Sequence, residues 1–176
     1  MNLTKQVYPQ LYRLFDHCTP LAGDCGKACK GACCTDEGGE GMFLYPGEEQ
    51  MLERAGFLTI QPSDFTVQGR SVPIAICKGV CDRGLRPLAC RIFPLFPYVK
   101  AGSKPKVLMD PRANSICPIA RVMKPSQLEP AFVRGVERTA LLLSMFPSTR
   151  LFMEEQSHLL DEMCGSYEIL RRILSE

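Results

Sequence analysis

Cysteine is the residue whose number and spacing point most directly to chemistry in this chain. Ten cysteines occur among 176 residues, and seven of them lie in two short stretches. The first stretch holds Cys25, Cys29, Cys33 and Cys34, and the second holds Cys77, Cys81 and Cys90. Thiolates that converge repel one another unless a cation lies between them, and sulfur ligands prefer soft metals. The spacing therefore predicts a site for zinc or for an iron–sulfur centre.

Together with one later cysteine, these stretches supply enough sulfur for two sites of four ligands each. The predicted metal ligands are Cys25, Cys29, Cys33, Cys34, Cys77, Cys81, Cys90 and Cys117. Residues four apart share a face of a helix, and in a glycine-containing loop short spacing also brings side chains together cheaply. Because adjacent side chains diverge, three interpretations of Cys33 and Cys34 remain open. The two serve different metals, or one bridges a pair of metals, or one packs as a small apolar side chain.

The remaining cysteines and both histidines are interpreted as structural. Cys18 lies close to the first stretch but outside its spacing, so it is not among the predicted ligands. Cys164 falls in an apolar helical segment, where we expect it to be part of the core. His17 neighbours Cys18 and could offer a nitrogen to zinc, but we expect it and His158 to have structural roles.

Composition and terminal sequence limit the class of protein. Apolar residues make up 45% and charged residues 23%, which is typical of a globular chain. No run approaches the ~18 apolar residues of a membrane span, and the N-terminus lacks the features of a secretory signal. We therefore expect a cytoplasmic protein, in which dense cysteine indicates metal binding rather than disulfides. Phosphate-loop, dinucleotide, zinc-protease and serine-hydrolase motifs are absent from the sequence, which leaves the question of catalysis open.

Positive charge is concentrated in residues 78–124, which carry ten basic and two acidic side chains. We interpret this segment first as a counterbalance to thiolate charge, with Arg86 and Arg91 donating hydrogen bonds to sulfur. The alternative is a surface for an anionic or protein partner, including nucleic acid. No feature of the sequence predicts a membrane partner or an oligomeric state.

The pattern of elements predicts one domain, residues 1–176, that is mainly α with a few short β-strands. A loop-rich, metal-bound region at 18–118 would be supported by a C-terminal helical hairpin at 125–176, because frequent prolines exclude long regular structure between 85 and 120. The predicted helices are 3–17, 47–55, 126–145 (opened by a Ser126–Glu129 capping box) and 149–174, with a possible break at Gly165. The predicted strands are 41–45, a hairpin of 65–68 with 72–76, and 106–109.

In its cysteines the chain resembles the YkgJ-type family, which is named for a CxxCxxCC motif and described as zinc- or iron-chelating. The resemblance covers about residues 25 to 118, and both gaps in the first stretch hold three residues rather than two. The matching residues are Cys25, Cys29, Cys33, Cys34, Cys77, Cys81, the run Arg86-Pro87-Leu88-Ala89-Cys90-Arg91, and Phe93-Pro94. The resemblance implies a metal site but no settled activity, and relatives of the family include flagellin lysine N-methylase.

The sequence leads to three hypotheses for the function of this protein. The leading one is metal binding, with thiolates chelating zinc or an iron–sulfur centre that holds loop-rich segments in shape. The first alternative is an iron–sulfur-dependent enzyme, such as a relative of protein lysine methyltransferases, which predicts a pocket beside the cluster. The second is a metal-stabilised module that binds nucleic acid or an acidic partner through residues 78–124.

Overall fold

The computed structural model describes residues 6–34, 41–79 and 81–173, and its architecture is mixed α/β. About 49% of the chain is helical and 19% is strand, in two small antiparallel sheets. The expectation of a mainly α protein is therefore wrong, because more of the loop-rich half pairs into strands than the sequence pattern indicated. The helices of the described part are α1 (Tyr8–Leu14), α2 (Cys25–Cys29), α3 (Leu88–Ile92), α4 (Ala113–Ile116), α5 (Pro118–Val122), α6 (Pro130–Ser144) and α7 (Pro147–Ile173).

A three-stranded antiparallel sheet ends at the second cysteine stretch. Its strands are β1 (Gly41–Phe43), β2 (Leu58–Val67) and β3 (Arg70–Cys77), in the order β1-β3-β2. The predicted hairpin is confirmed: β2 and β3 are joined at Gln68 and Gly69, which both have positive φ, as a tight hairpin turn requires. β2 begins seven residues earlier than predicted, at Leu58 rather than at residue 65.

The second sheet lies in the proline-rich segment and contains a strand that was not predicted. β4 (Leu95–Tyr98) pairs with β5 (Lys106–Met109), and β5 coincides with the predicted strand 106–109. Pro97 is tolerated in β4 because a two-stranded sheet consists of edge strands, where a missing backbone donor costs little. The other regular elements between 85 and 120 are four or five residues long, as the prolines predicted.

The C-terminal helical hairpin is present, with different boundaries. α6 begins at Pro130 with Glu129 as its N-cap and without a side-chain capping bond, so the predicted Ser126–Glu129 capping box is wrong. The buried residues of α6 recur at helical spacing and form its core face: Phe132, Gly135, Val136, Thr139, Ala140 and Leu143. α7 continues through Gly165 without a break.

The core lies where α1, the strands and α6–α7 meet. Tyr8, Leu11, Phe132 and Phe152 are among its fully buried side chains. Of the predicted helix 3–17, the part before residue 6 lies outside the described residues, and the rest is represented by α1. The predicted helix 47–55 is wrong, because only a single 3-10 turn forms at Glu48–Met51.

Candidate metal centre

The first cysteine stretch contains a short helix that places two sulfurs on one face. Asp24 is the N-cap of α2, and its carboxylate accepts a hydrogen bond from the backbone N–H of Gly26 (3.0 Å). Cys25 and Cys29 are four residues apart in this helix, so their side chains point to the same side. Lys30 ends α2 in the left-handed conformation, and the chain turns toward Cys33.

The second stretch begins and ends at a cysteine and contains a small turn. Cys77 is the last residue of β3, and Cys90 lies in α3. Between them a 3-10 turn at Arg83–Leu85 is capped by Asp82. Arg86 Nε donates a hydrogen bond to Cys81 Sγ at 3.1 Å, which confirms the prediction that Arg86 contacts sulfur.

An ion pair connects the two stretches directly. Arg83 Nη1 lies 2.6 Å from Asp24 Oδ1, which joins the turn of the second stretch to the cap of α2. The hydrogen bond from Arg83, followed by that from Gly26, lowers the pKa of Asp24 below its usual value. Asp24 thus both starts the helix of the first stretch and binds the second.

Arg91 is a buried centre of hydrogen bonds beside Cys90. Its guanidinium donates to three backbone carbonyls of the preceding loop, to one carbonyl of α1 and to one carboxylate. The acceptors are the carbonyls of Arg83 (2.9 Å), Gly84 (2.8 Å), Arg86 (2.7 Å) and Tyr12 (3.1 Å), and Asp16 Oδ1 (3.1 Å). The prediction that Arg91 donates to sulfur is therefore wrong. It instead holds the loop between Cys81 and Cys90 against α1.

The cysteines of both stretches line two adjoining cavities. The larger cavity has a volume of about 370 Å³, and the smaller about 70 Å³. The larger is lined by Cys18, Cys25, Cys29, Cys33, Cys90 and Cys117, and the smaller by Cys33, Cys77, Cys81 and Cys90. Cys33, Arg86, Cys90 and Phe93 line both cavities and so form the wall between them. Stretches separated by 42 residues of sequence therefore meet at one place.

All the predicted ligands whose side chains are described line one of these cavities; the side chain of Cys34 lies outside the described part. Cys18, which the spacing had excluded, lines the larger cavity together with His17. The only sequence signal for Cys18 is its closeness to Cys25. Cys164 is exposed on α7 and lines neither cavity, so its predicted place in the core is wrong. His158 is also exposed, and its Nδ1 lies 3.6 Å from Glu162 Oε1.

Two cysteines of the larger cavity, Cys18 and Cys25, have a raised pKa that favours the neutral thiol. Burial is the main cause that raises the pKa of Cys25, and the neighbouring Cys29 adds to it. Burial likewise raises the pKa of Cys18, assisted by Glu129. Among the described residues no three Cys, His, Asp or Glu side chains are close enough to hold one ion as they stand. The donor set is nevertheless almost entirely sulfur, which fits zinc or an iron–sulfur centre and not a hard cation such as magnesium.

Comparison with models of protein families, with curated proteins and with solved structures gives no match. The resemblance to the YkgJ-type family therefore stays a prediction that depends on the cysteine motifs. No helix in the described ranges is both long and apolar enough to cross a membrane.

Proposed function

We propose that this protein binds zinc or an iron–sulfur centre through cysteine thiolates in a reducing, cytoplasmic environment. One observation carries the proposal: Cys25, Cys29, Cys33, Cys77, Cys81, Cys90 and Cys117 all line two adjoining cavities, whereas Cys164 lines neither. Thiolates gathered in such numbers repel one another without a compensating cation, and a soft metal supplies it.

The proposed role of the metal is to hold the cysteine-bearing loops in place. Cys25 and Cys29 lie on α2, Cys90 lies on α3 and Cys117 just before α5, and these five-residue helices are too short to be stable by themselves. A site with four sulfur ligands is closed and structural, and metal binding then contributes directly to the free energy of folding.

An iron–sulfur-dependent enzyme is the second candidate, and a neighbouring cavity favours it. A cavity of about 770 Å³ adjoins the smaller cysteine-lined cavity, and Gly41, Met42, Phe93 and Ile116 line both. A pocket of this size beside a cluster could hold a substrate. The visible spectrum separates the candidates, because an iron–sulfur protein is brown and a protein that holds only zinc is colourless.

The proposal is tested by metal content in two cysteine variants. Protein is purified under anaerobic conditions and metal per chain is measured by elemental analysis. Cys90→Ala is expected to lose bound metal, because Cys90 lies in the wall shared by both cysteine-lined cavities. Cys164→Ala is the matched control and should keep the wild-type metal content, since Cys164 lines neither. Equal loss in both variants, or a wild-type protein without metal, contradicts the proposal.

A further inference from the structure

The 770 Å³ cavity has the composition of a small-molecule site. It lies between β1, the α3–β4 segment, α4 and α7, and its walls are mainly apolar. The apolar wall includes Phe43, Ile92, Leu95, Phe96 and Leu160. Binding sites for small organic molecules are typically cavities of ~300–1,000 Å³ with apolar walls and a few polar groups that orient the ligand.

Two buried polar side chains in this cavity lack a hydrogen-bond partner. Tyr45 is 3% exposed and Gln156 is 7% exposed, and both line the cavity. Among the described residues the backbone N–H of Tyr45 donates to Glu48, but nothing bonds to the Tyr45 hydroxyl or to the Gln156 side-chain amide. Neither group is fully shielded, because Thr139 Oγ1 alone among the described residues is a fully buried side-chain polar atom without a partner. Both groups therefore face the space of the cavity, where a hydrogen-bonding ligand can take the place of water as their partner.

A third polar feature of the cavity is an arginine whose charge is already compensated. Arg112 Nε and Nη2 donate to the carboxylate of Asp110 at 2.9 and 2.7 Å, and the guanidinium lies 5.3 Å from the centre of the Phe96 ring. In the described part of the chain, Nη1 of Arg112 has no acceptor. Burial raises the pKa of Tyr45 above its usual value, so its hydroxyl remains a donor at neutral pH.

We propose that this cavity binds a small, uncharged organic molecule with an apolar body and a carbonyl-type hydrogen-bond acceptor. Three donors line the same cavity: the Tyr45 hydroxyl, the Gln156 amide and Arg112 Nη1. Asp110 and Arg112 cancel one another, and they are the only charged side chains among the described residues that line the cavity. An anion would therefore be desolvated without a net opposite charge, whereas a carbonyl oxygen finds donors at little cost. The inference concerns a different cavity from the metal proposal and does not depend on it.

The test uses prodan, a neutral naphthyl ketone whose emission moves to shorter wavelength in apolar surroundings. The purified full-length protein is titrated with prodan, and the dissociation constant is read from the emission shift. The anionic dye anilinonaphthalene sulfonate is titrated in parallel. We expect saturable binding of prodan with a blue shift and weaker binding of the sulfonate. No saturable binding of prodan, or tighter binding of the sulfonate, overturns the proposal.

Variants of the cavity residues test whether prodan binds in this cavity. Tyr45→Phe keeps the ring that packs on Phe152 and removes only the hydroxyl, and Gln156→Leu removes the amide. Each change is expected to weaken prodan binding roughly threefold to tenfold, which corresponds to the loss of one hydrogen bond. Tyr98→Phe and Gln50→Leu are the matched controls, because neither residue lines the cavity, and both should bind as the wild type does. Unchanged affinity in Tyr45→Phe, which preserves the packing, overturns the proposal even if Gln156→Leu does not fold.

Discussion

Arg91 shows at the residue scale how the second cysteine stretch is held. Its side chain is only 4% exposed, and it combines five hydrogen bonds with a position 4.2 Å from the centre of the Tyr12 ring. A guanidinium has donors on three nitrogens in a rigid plane and can therefore serve several carbonyls at once. A lysine in the same place has a single nitrogen and cannot reach all of these acceptors.

Arg91→Lys is expected to destabilise the protein by about 3–5 kcal/mol, because several buried carbonyls lose their donor at once. The free energy of unfolding is measured by urea denaturation. Arg83→Lys is the control: its ion pair with Asp24 is about two-fifths exposed, and we expect a loss of about 1 kcal/mol or less. Similar losses in the two variants would show that Arg91 does not hold the loop as described.

Closeness to cysteine in the sequence predicted the hydrogen-bond partner of only one of the two arginines, Arg86 and Arg91. Arg86 was expected to contact sulfur and does, since it follows Cys81 closely and lies in the same loop. Arg91 was expected to do the same and does not. It lies on α3, whose orientation turns its side chain toward α1, and no local pattern reveals that orientation.

At the scale of elements, a buried carboxylate joins three segments around the candidate site. Glu48 is fully buried at the start of the 3-10 turn. It accepts hydrogen bonds from the Tyr12 hydroxyl of α1 (2.6 Å), from the backbone N–H of Leu88 at the start of α3 (2.6 Å) and from that of Tyr45 (3.1 Å). Burial raises the pKa of Glu48, and these hydrogen bonds oppose the shift only in part.

The raised pKa predicts a pH dependence of stability. Below the pKa of the unfolded chain, about 4.3, the carboxyl is protonated in both states. As the pH rises, the unfolded chain ionises first, so stability falls until the native carboxyl ionises too, by at most about 1.4 kcal/mol per pH unit. Glu48→Gln removes this contribution, so urea denaturation from about pH 4 upwards should show a smaller decline in stability with pH than in the wild type. Glu53→Gln, at an exposed position, is the control, and an equal decline in all three proteins would contradict the prediction.

The β2–β3 hairpin has a local signal in the sequence and was predicted, whereas β4 depends on its pairing with β5 and was missed. The β2–β3 hairpin was expected because a glycine separates two β-branched segments, and the turn at Gly69 confirms it. β4 was missed because Pro94 and Pro97 indicate a break in regular structure. The strand exists because β5 pairs with it on one side, which is a property of the tertiary structure.

At the scale of the whole molecule, the basic segment 78–124 is largely occupied with internal contacts. Seven of its ten basic side chains make a hydrogen bond or ion pair within the protein: Lys78, Arg83, Arg86, Arg91, Lys100, Arg112 and Arg121. The high net charge of the segment therefore does not amount to a surface of unengaged cations. This favours a structural role for the charge over a nucleic-acid interface.

We accordingly expect weak binding of nucleic acid. Fluorescence anisotropy of a labelled single-stranded oligonucleotide should show little association at physiological salt, and a variant with Lys104 and Lys106 changed to Gln should behave in the same way. Tight binding that falls steeply with salt would instead indicate several phosphate contacts and support the nucleic-acid alternative.

The residue type and the spacing of the cysteines predicted that the two stretches converge, because a shared metal is the simplest reason for two closely spaced sets of cysteines. The presence of Cys18 at the larger cavity could not. It follows α1 outside any motif spacing, and it shares the cavity with Cys117 and Ile119, which are distant from it in sequence.

X-ray absorption at the edge of the bound metal in anaerobically purified protein tests the central claim most directly. The account predicts a first shell of sulfur, at about 2.3 Å if the metal is zinc, and sulfur with a neighbouring iron if it is an iron–sulfur centre. A first shell dominated by nitrogen or oxygen at about 2.0–2.1 Å would contradict the account, because the metal would then not be held by the gathered thiolates.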